Sequence, residues 1–188
     1  MTATALETKL STPTSYEIDS AHSSATFKVR HLMVSNVRGE LGPIVGQVLI
    51  DETDLTRSRV DATIDASTIN TRDEKRDAHL RSSDFLDIQS HPSIHFHSTG
   101  VRPGKTGHLL VTGELTLRGV TREVTLDVEP LSPDIRDPWG NVKRGVSATT
   151  KINRKDFGVS WNAALDGGGV VVGDEVSITL EVELGRKA

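Results

Sequence analysis

Apolar residues recur at every second position over much of this chain, which is the period of a β-strand with one buried face. In TFKVRH, Phe27, Val29 and His31 fall on one face, and the lysine and arginine between them fall on the other. Seven more segments show this alternation or an apolar run of strand length: IVGQVLI, RVDATIDA, SIHFHS, LLVTGELTL, EVTLDV, GVSATTKI and VSITLEVEL. The pattern therefore predicts about eight strands, separated by turn sequences such as RPGKTG and DPWGN.

One segment, TRDEKRDAHLRSSDF, breaks the alternation, because nine of its fifteen residues are charged or histidine. Thr71 is followed three residues later by Glu74, the spacing of a capping box at a helix start. Acidic residues in the first turn also suit the helix dipole. We therefore predict one short helix at about residues 71–81.

This helix is predicted to cover the sheet rather than to carry chemistry. Leu80 is nearly its only large apolar residue, and Phe85 and Leu86 follow shortly after it. We expect these three side chains to dock inward. The body of the helix is expected to be solvated, with Asp77 and Arg81 paired on its surface.

A single polar helix among antiparallel strands leaves no βαβ alternation, which argues against a parallel α/β sheet. Two architectures remain, a β-sandwich and a closed up-and-down barrel. An eight-stranded barrel has an interior that side chains fill or that holds one small ligand. With 188 residues, we expect a flexible leader over residues 1–14 and a single domain over residues 15–185.

Composition and charge remove several classes of function. The net charge is −4 and the basic residues are evenly spread, which argues against nucleic-acid binding. Cysteine is absent, so disulfides and thiolate metal sites are excluded. The sequence has no apolar run of the ~20 residues that a transmembrane helix needs. Its opening segment lacks the basic and apolar regions of a secretory signal, so a cytoplasmic location is expected.

Histidines offer a candidate metal site. His95 and His97 lie on the same predicted strand face, about 7 Å apart, a separation at which two imidazoles can share a metal. That face is opposite to Ile94 and Phe96, so we expect it to face solvent. We therefore expect no metal at this site. A metal-dependent stress protein is kept as an alternative function.

Catalysis on a small hydrophobic substrate is a second alternative. It needs a buried acid–base pair, and His31 beside Asp19 is the one arrangement that the sequence suggests. No motif supports it further, so we expect a protein that is not an enzyme.

Six ordered segments together resemble one family, the YceI-like polyisoprenoid-binding proteins. They are YEIDSAHSSATFKVRHLMVSNVRGELG, TINTRDEKRDAHLRSSDFLD, HPSIHFHS, VTGELTLRGVTREVTL, DPWGNVKRGVSATTKINRKDFGVSWN and VGDEVSITLEVEL. The similarity runs from about Tyr16 to Leu184. It implies an extended, lipocalin-like, eight-stranded antiparallel β-barrel that holds a long isoprenoid amphiphile, such as a quinone or a prenyl phosphate. It also implies no catalysis, no cofactor, no obligatory metal, and a homodimer.

With this resemblance, the expected activity is sequestration or transport of a prenyl lipid. The polar head is expected at the barrel mouth beside His31, which ends the apolar face of its strand. The tail is expected to contact large residues in strand or cover positions: Phe27, Val29, Phe85, Phe96, Leu115, Leu117, Phe157 and Trp161.

Overall fold

Strands make up most of the regular structure in the computed structural model, which describes residues 12–165 and 168–187. Within these residues the strands are β1 (Thr14–Ile18), β2 (Ser24–His31), β3 (Ser35–Leu41), β4 (Ile44–Ile50), β5 (Arg59–Asp65), β6 (Ser93–Pro103), β7 (Leu109–Leu117), β8 (Val120–Val128), β9 (Ile135–Arg136), β10 (Val142–Asn153) and β11 (Val172–Arg186). Helix α1 spans Glu74–Arg81, and short 3₁₀ turns lie at Leu55–Arg57, Ala66–Thr68 and Arg154–Phe157. The eight segments predicted from alternation correspond to β2, β4, β5, β6, β7, β8, β10 and β11.

The strands close into an antiparallel barrel. Strands β1 and β2 lie one after the other along the same edge of β11, while β2 pairs with β3 and β1 with β4. Strands β1 and β2 therefore form one interrupted strand of the barrel, and β3 and β4 form another. With β5, β6, β7, β8, β10 and β11 they form a ring of eight, which the pairing of β10 with β11 closes. The predicted eight-stranded barrel is confirmed, and the sandwich alternative is excluded.

Loops divide between the two ends of the barrel. The α1 end carries the β2–β3 turn, α1 with the segment after it, the β7–β8 turn and the chain between β10 and β11. The far end carries the β4–β5, β6–β7 and β8–β10 connections. Of the predicted leader, residues 1–11 lie outside the described residues, and Thr14 already belongs to β1.

One cluster of buried apolar side chains lies toward the far end. There β1, β4 and β11 bring together Tyr16, Ile50 and Leu184, each at most 1% exposed. A second cluster joins Phe96 on β6 to Val111 on β7. These residues point inward because alternate strand positions face the same side of the sheet.

The residue that caps the N-terminus of helix α1 is Asp73, not the predicted Thr71. The carboxylate of Asp73 accepts a hydrogen bond from the backbone N–H of Arg76 at 3.0 Å, and the helix starts at Glu74. The capping box predicted at Thr71 is wrong, because Thr71 is buried and its hydroxyl donates to another carboxylate.

That carboxylate belongs to Asp77, which is only 6% exposed. Its Oδ1 accepts hydrogen bonds from the backbone nitrogen of Thr71 at 2.9 Å and from the hydroxyl of Thr71 at 2.5 Å. Arg81 donates to the carbonyl oxygens of Ser67 and Ile69, both at 2.7 Å. The predicted surface pair between Asp77 and Arg81 is therefore wrong, since both side chains tie α1 to the segment before it.

Replacing Asp77 with alanine should lower the free energy of unfolding by about 1–3 kcal/mol, because the buried N–H and hydroxyl of Thr71 lose their acceptor. Urea denaturation measures this change. Lys75→Ala, at an exposed position of the same helix, is the matched control and should have little effect. Equal midpoints for the two variants would contradict a structural role for the buried carboxylate.

Among residues 12–165 and 168–187, no helix has the length and apolar character needed to cross a membrane.

Candidate functional site

The barrel encloses an apolar cavity of about 330 Å³. At the α1 end it reaches Val29 and Val172, and at the far end it reaches Val128 and Leu131. Its lining is almost entirely aliphatic or aromatic, and the exceptions are Thr26, Ser58, Thr150 and Arg154. Such a space favours a ligand with a hydrocarbon body rather than a polar metabolite.

The cavity is elongated along the barrel. Val176 and Leu184 both line it and lie eight residues apart on β11. At about 3.3 Å per residue they are roughly 26 Å apart along the strand. With the usual strand tilt, this corresponds to about 20 Å along the barrel axis. The shape suits a linear chain.

Its volume sets the amount of hydrocarbon that fits without rearrangement. An aliphatic cavity of about 150 Å³ holds one benzene ring. A cavity of about 330 Å³ therefore has room for roughly a dozen carbon atoms, or two to three five-carbon units.

Most residues predicted for the tail lie on this lining: Phe27, Val29, Phe85, Phe96, Leu115 and Leu117. Leu80 and Leu86 also line the cavity, so the segment around α1 covers the interior as the sequence predicted. Val146 on β10, which was not among the residues predicted for the tail, is another lining residue.

Phe157 and Trp161 lie outside the lining. Phe157 is 2% exposed and belongs to the 3₁₀ turn after β10. Trp161 is half-buried, with its ring centroid 5.3 Å from that of Phe85 and 4.9 Å from that of His79. Trp161 therefore packs behind the cavity wall at the α1 end, whereas Phe157 is buried in the turn that follows β10.

His31 lies at the end of β2 and is half-buried, but it is not a lining residue. Its backbone pairs opposite Val172. No hydrogen bond joins its imidazole to another residue in the described part of the chain. It therefore stands next to the cavity with its ring nitrogens available.

The acid–base pair suggested by the sequence is not assembled. The carboxylate of Asp19 accepts a hydrogen bond from Lys143 at 2.5 Å, and the backbone N–H of Asp19 donates to the carbonyl of Glu183. His31 lies opposite Val172, eleven residues away from Glu183 along β11. The structure therefore separates Asp19 and His31 by most of the barrel.

Arg154 is a lining residue that the sequence analysis missed. It is 4% exposed, and burial lowers the pKa of its guanidinium. All five of its N–H groups have acceptors, which are the carbonyls of Val159, Trp161, Val172 and Gly173 and the carboxylate of Asp174. The available signal was its place in the segment DPWGNVKRGVSATTKINRKDFGVSWN, which is one of the six that carry the family resemblance. Because no donor is free, Arg154 organises the chain between β10 and β11 at the α1 end rather than binding an anion.

His95 and His97 lie on the outer face of β6, as predicted. They contact different oxygens of one carboxylate: His95 Nε2 is 3.2 Å from Asp61 Oδ1, and His97 Nδ1 is 3.0 Å from Asp61 Oδ2. These hydrogen bonds lower the pKa of Asp61. In the described part of the chain, the group whose ligand atoms lie within reach of one ion is a different one, formed by Asp19, His22 and Glu183.

That second group already contains a cation. The ammonium of Lys143 lies 2.5 Å from Asp19 and 3.0 Å from Glu183, so a protein charge occupies the space between the carboxylates. The hydrogen bond from Lys143 holds the pKa of Asp19 well below its usual range, and the same contact raises the pKa of Lys143. The arrangement is an ion-pair cluster.

Asp19→Asn should flatten the acid limb of the stability curve. Because the pKa of Asp19 is lower in the folded than in the unfolded state, its contribution is present above pH ~4 and is lost as the pH falls toward the folded value. Urea midpoints at pH 7 and pH 3 should therefore differ more in the wild type than in Asp19→Asn. Lys143→Met should reproduce the flattening, and parallel curves for all three proteins would contradict the assignment.

Comparison with known proteins finds a family model, the YceI-like domain, that matches residues 16–184. A UPF0312 protein of Staphylococcus aureus (strain N315) is 38% identical over 170 residues, which cover 90% of this chain and 96% of the relative.

Solved structures share the fold. Burkholderia cenocepacia BcnA has a TM-score of 0.76 at 22% identity, covering 88% of this chain and 98% of its own. The YCEI protein of Campylobacter jejuni has a TM-score of 0.70 at 27% identity, covering 85% and 90%. A polyisoprenoid binding domain from Saccharophagus degradans has a TM-score of 0.65 at 15% identity, covering 92% and 98%.

Proposed function

This chain belongs to the YceI-like family, and we propose that it sequesters or transports a long-chain isoprenoid lipid, of the quinone or prenyl phosphate type, without catalysing a reaction. The observation that carries the proposal is the elongated cavity with its almost wholly apolar lining. The name of the Saccharophagus degradans neighbour, a polyisoprenoid binding domain, supports the same class of ligand.

The driving force is burial of the prenyl tail. Each buried CH₂ contributes roughly 0.8 kcal/mol, so a five-carbon unit offers about 3–4 kcal/mol before ordering and association costs. The cavity holds two to three such units, so a longer tail must displace lining side chains or extend past an end of the barrel. Affinity should therefore rise over the first units and then level off.

We assign the tail to the lining residues Phe27, Val29, Phe85, Phe96, Leu115 and Leu117. Trp161 would support this wall from behind. We assign the head group to the α1 end, where the imidazole of His31 can meet a quinone carbonyl or a phosphate. The saturated hydrogen bonding of Arg154 favours His31 over the arginine as that contact.

A cytoplasmic location and a homodimer remain part of the proposal. Cell fractionation tests the first, and light scattering during size-exclusion chromatography tests the second.

Mass spectrometry of an organic extract tests the lipid proposal. Protein purified without detergent should release a prenyl lipid in stoichiometric amount, and emptied protein should take up a prenyl quinone. A protein that contains no lipid and also fails to bind the quinone would overturn the proposal.

The position of the head group can be tested in the same protein. The chain has two tryptophans, so Trp139→Phe leaves Trp161, whose ring lies beside the lining residue Phe85. A bound quinone head at the α1 end should quench Trp161 emission, and His31→Ala should weaken this quenching. Binding without any quenching would place the head elsewhere.

A further inference from the structure

The turn between β2 and β3 exposes three consecutive apolar side chains. Leu32, Met33 and Val34 are 37%, 52% and 75% exposed. Single exposed apolar residues are common on protein surfaces, but a contiguous group at a projecting turn marks a contact surface. We call these three residues the hairpin tip.

The backbone of the hairpin tip does not explain its side chains. Val34 N–H donates to the carbonyl of His31 at 3.1 Å, and the two central residues, Leu32 and Met33, have positive φ angles of 49° and 60°. Turns with two positive φ angles strongly prefer asparagine and glycine. Leucine and methionine are strained here, so local folding preference does not account for them.

Cations without acidic partners lie directly behind the hairpin tip. Lys28 and Arg38 are exposed and occupy directly opposed positions of β2 and β3. No ion pair involves either side chain within the described residues. Arg30, one row nearer the turn, donates to the carbonyl of Met33. Like charges at directly opposed positions are unfavourable, which suggests an anionic partner outside the chain.

The nearby acidic residues do not neutralise this group. On the neighbouring strand β11, Glu175 is paired with Lys151 at 2.9 Å, and Asp174 is paired with Lys155 at 2.8 Å. Glu40 on β3, one outward-facing position further from the turn than Arg38, has no ion pair among the described residues. The three cations beside the hairpin tip therefore outnumber the one acid that is not otherwise paired, and this surface carries a net positive charge.

We propose that the hairpin tip seats the α1 end of the barrel on an anionic phospholipid bilayer. Apolar side chains enter the boundary between head groups and acyl chains, while the flanking cations contact anionic head groups. A second copy docking by the same tip would bring both sets of cations together, so charge favours the bilayer over self-association.

The cavity lies next to the hairpin tip, so docking there would bring the cavity to the membrane. This step rests on the proposed lipid-binding function. Val29 on β2 and Val172 on β11 line the cavity, and Leu32 N–H donates to the carbonyl of Val171 at 2.8 Å. The hairpin tip is therefore continuous with the wall at the α1 end, and docking brings the cavity to the membrane from which a prenyl chain is loaded.

Sedimentation with vesicles tests the proposal, using phosphatidylcholine alone and equal parts phosphatidylcholine and phosphatidylglycerol. The wild type should sediment with the mixed vesicles, and added salt should weaken binding. Leu32→Asn combined with Met33→Gly should lose most of it, although these residues suit the turn and should keep or raise the Tm. Trp139→Ser, at an 84% exposed site at the far end, is the matched control and should bind as the wild type does.

The charge contribution is tested separately. Lys28→Gln combined with Arg38→Gln should weaken binding to the mixed vesicles by roughly fivefold per cation, and leave any binding to pure phosphatidylcholine unchanged. Equal binding by the wild type and the turn variant would overturn the proposal. So would a loss in Trp139→Ser, or a change of oligomeric state in the turn variant.

A further measurement separates this inference from the proposed function. Without vesicles, the turn variant should bind a short-chain prenyl quinone as tightly as the wild type, because its cavity is unchanged. Wild-type protein that binds the quinone but does not bind anionic vesicles would overturn the docking proposal alone. Protein that binds anionic vesicles but no prenyl quinone would overturn the proposed function but not the docking proposal.

Discussion

Ala148→Trp should abolish most of the binding of a short-chain prenyl quinone while leaving the barrel folded. Ala148 is 7% exposed, lines the cavity, and pairs with Leu180 on one side and Val128 on the other. An indole at this position replaces at least one five-carbon unit, worth roughly 3–4 kcal/mol gross. The affinity measured by titration calorimetry should therefore fall on the order of a hundredfold.

The neighbouring position provides the matched control. Thr149 is exposed and faces away from the interior, so Thr149→Trp adds the same side chain to the outside of the same strand and should leave the affinity unchanged. Overpacking at position 148 should cost about 1–3 kcal/mol of stability, which circular dichroism melts can check. Unimpaired binding by a folded Ala148→Trp protein would place the ligand outside the barrel.

Arg154→Met should lower the free energy of unfolding by about 3–5 kcal/mol, the cost of removing one partner from a buried charged network. The substitution leaves the carbonyl groups of Val159 and Gly173 without these donors. Arg154→Lys should recover little, because an ammonium has three donors where the guanidinium has five. Urea denaturation measures both variants.

Lys155→Met is the control for this experiment. Lys155 is the exposed next residue, and it pairs with Asp174 at 2.8 Å. Loss of such a surface pair should cost at most about 1 kcal/mol. If Arg154→Met and Lys155→Met were equally stable, the buried guanidinium would not organise the α1 end as described.

The strands and their inward faces were predictable because alternate residues of a strand face the same side of the sheet. Alternation left both a sandwich and a barrel open, and the family resemblance favoured the barrel. The alternation pattern did not reveal strand β3, and the reason is a side chain on the neighbouring strand β2. Gly39 occupies an inward position, where an added Cβ would be 2.5 Å from the Phe27 ring on β2. The sequence therefore shows a glycine where the pattern requires an apolar residue, and only strand pairing explains it.

The same limit applies to the candidate site. Phe27, Phe96 and Leu115 line the cavity because period-two alternation directs them inward. Phe157 and Trp161 follow β10 in a 3₁₀ turn and a loop, where that period does not apply. No local pattern could indicate that they lie outside the cavity lining.

Helix α1 illustrates a second limit of local patterns. Thr71 and Glu74 have the spacing of a capping box, but the side chain of Thr71 is taken by the buried carboxylate of Asp77. A tertiary contact therefore overrides the local signal and moves the cap to Asp73. The three-residue spacing alone does not distinguish the two outcomes.

Methyl NMR with a bound prenyl quinone tests most directly whether the hydrocarbon lies inside the barrel. Ile178 and Leu180 on β11 line the cavity, whereas Val45 and Leu49 on β4 are exposed on the outside, at 50% and 38%. We predict intermolecular NOEs from the prenyl tail to the methyl groups of Ile178 and Leu180, and none to those of Val45 and Leu49. Saturating ligand that leaves the inner methyl groups unperturbed, or that contacts only the outer ones, would contradict the account.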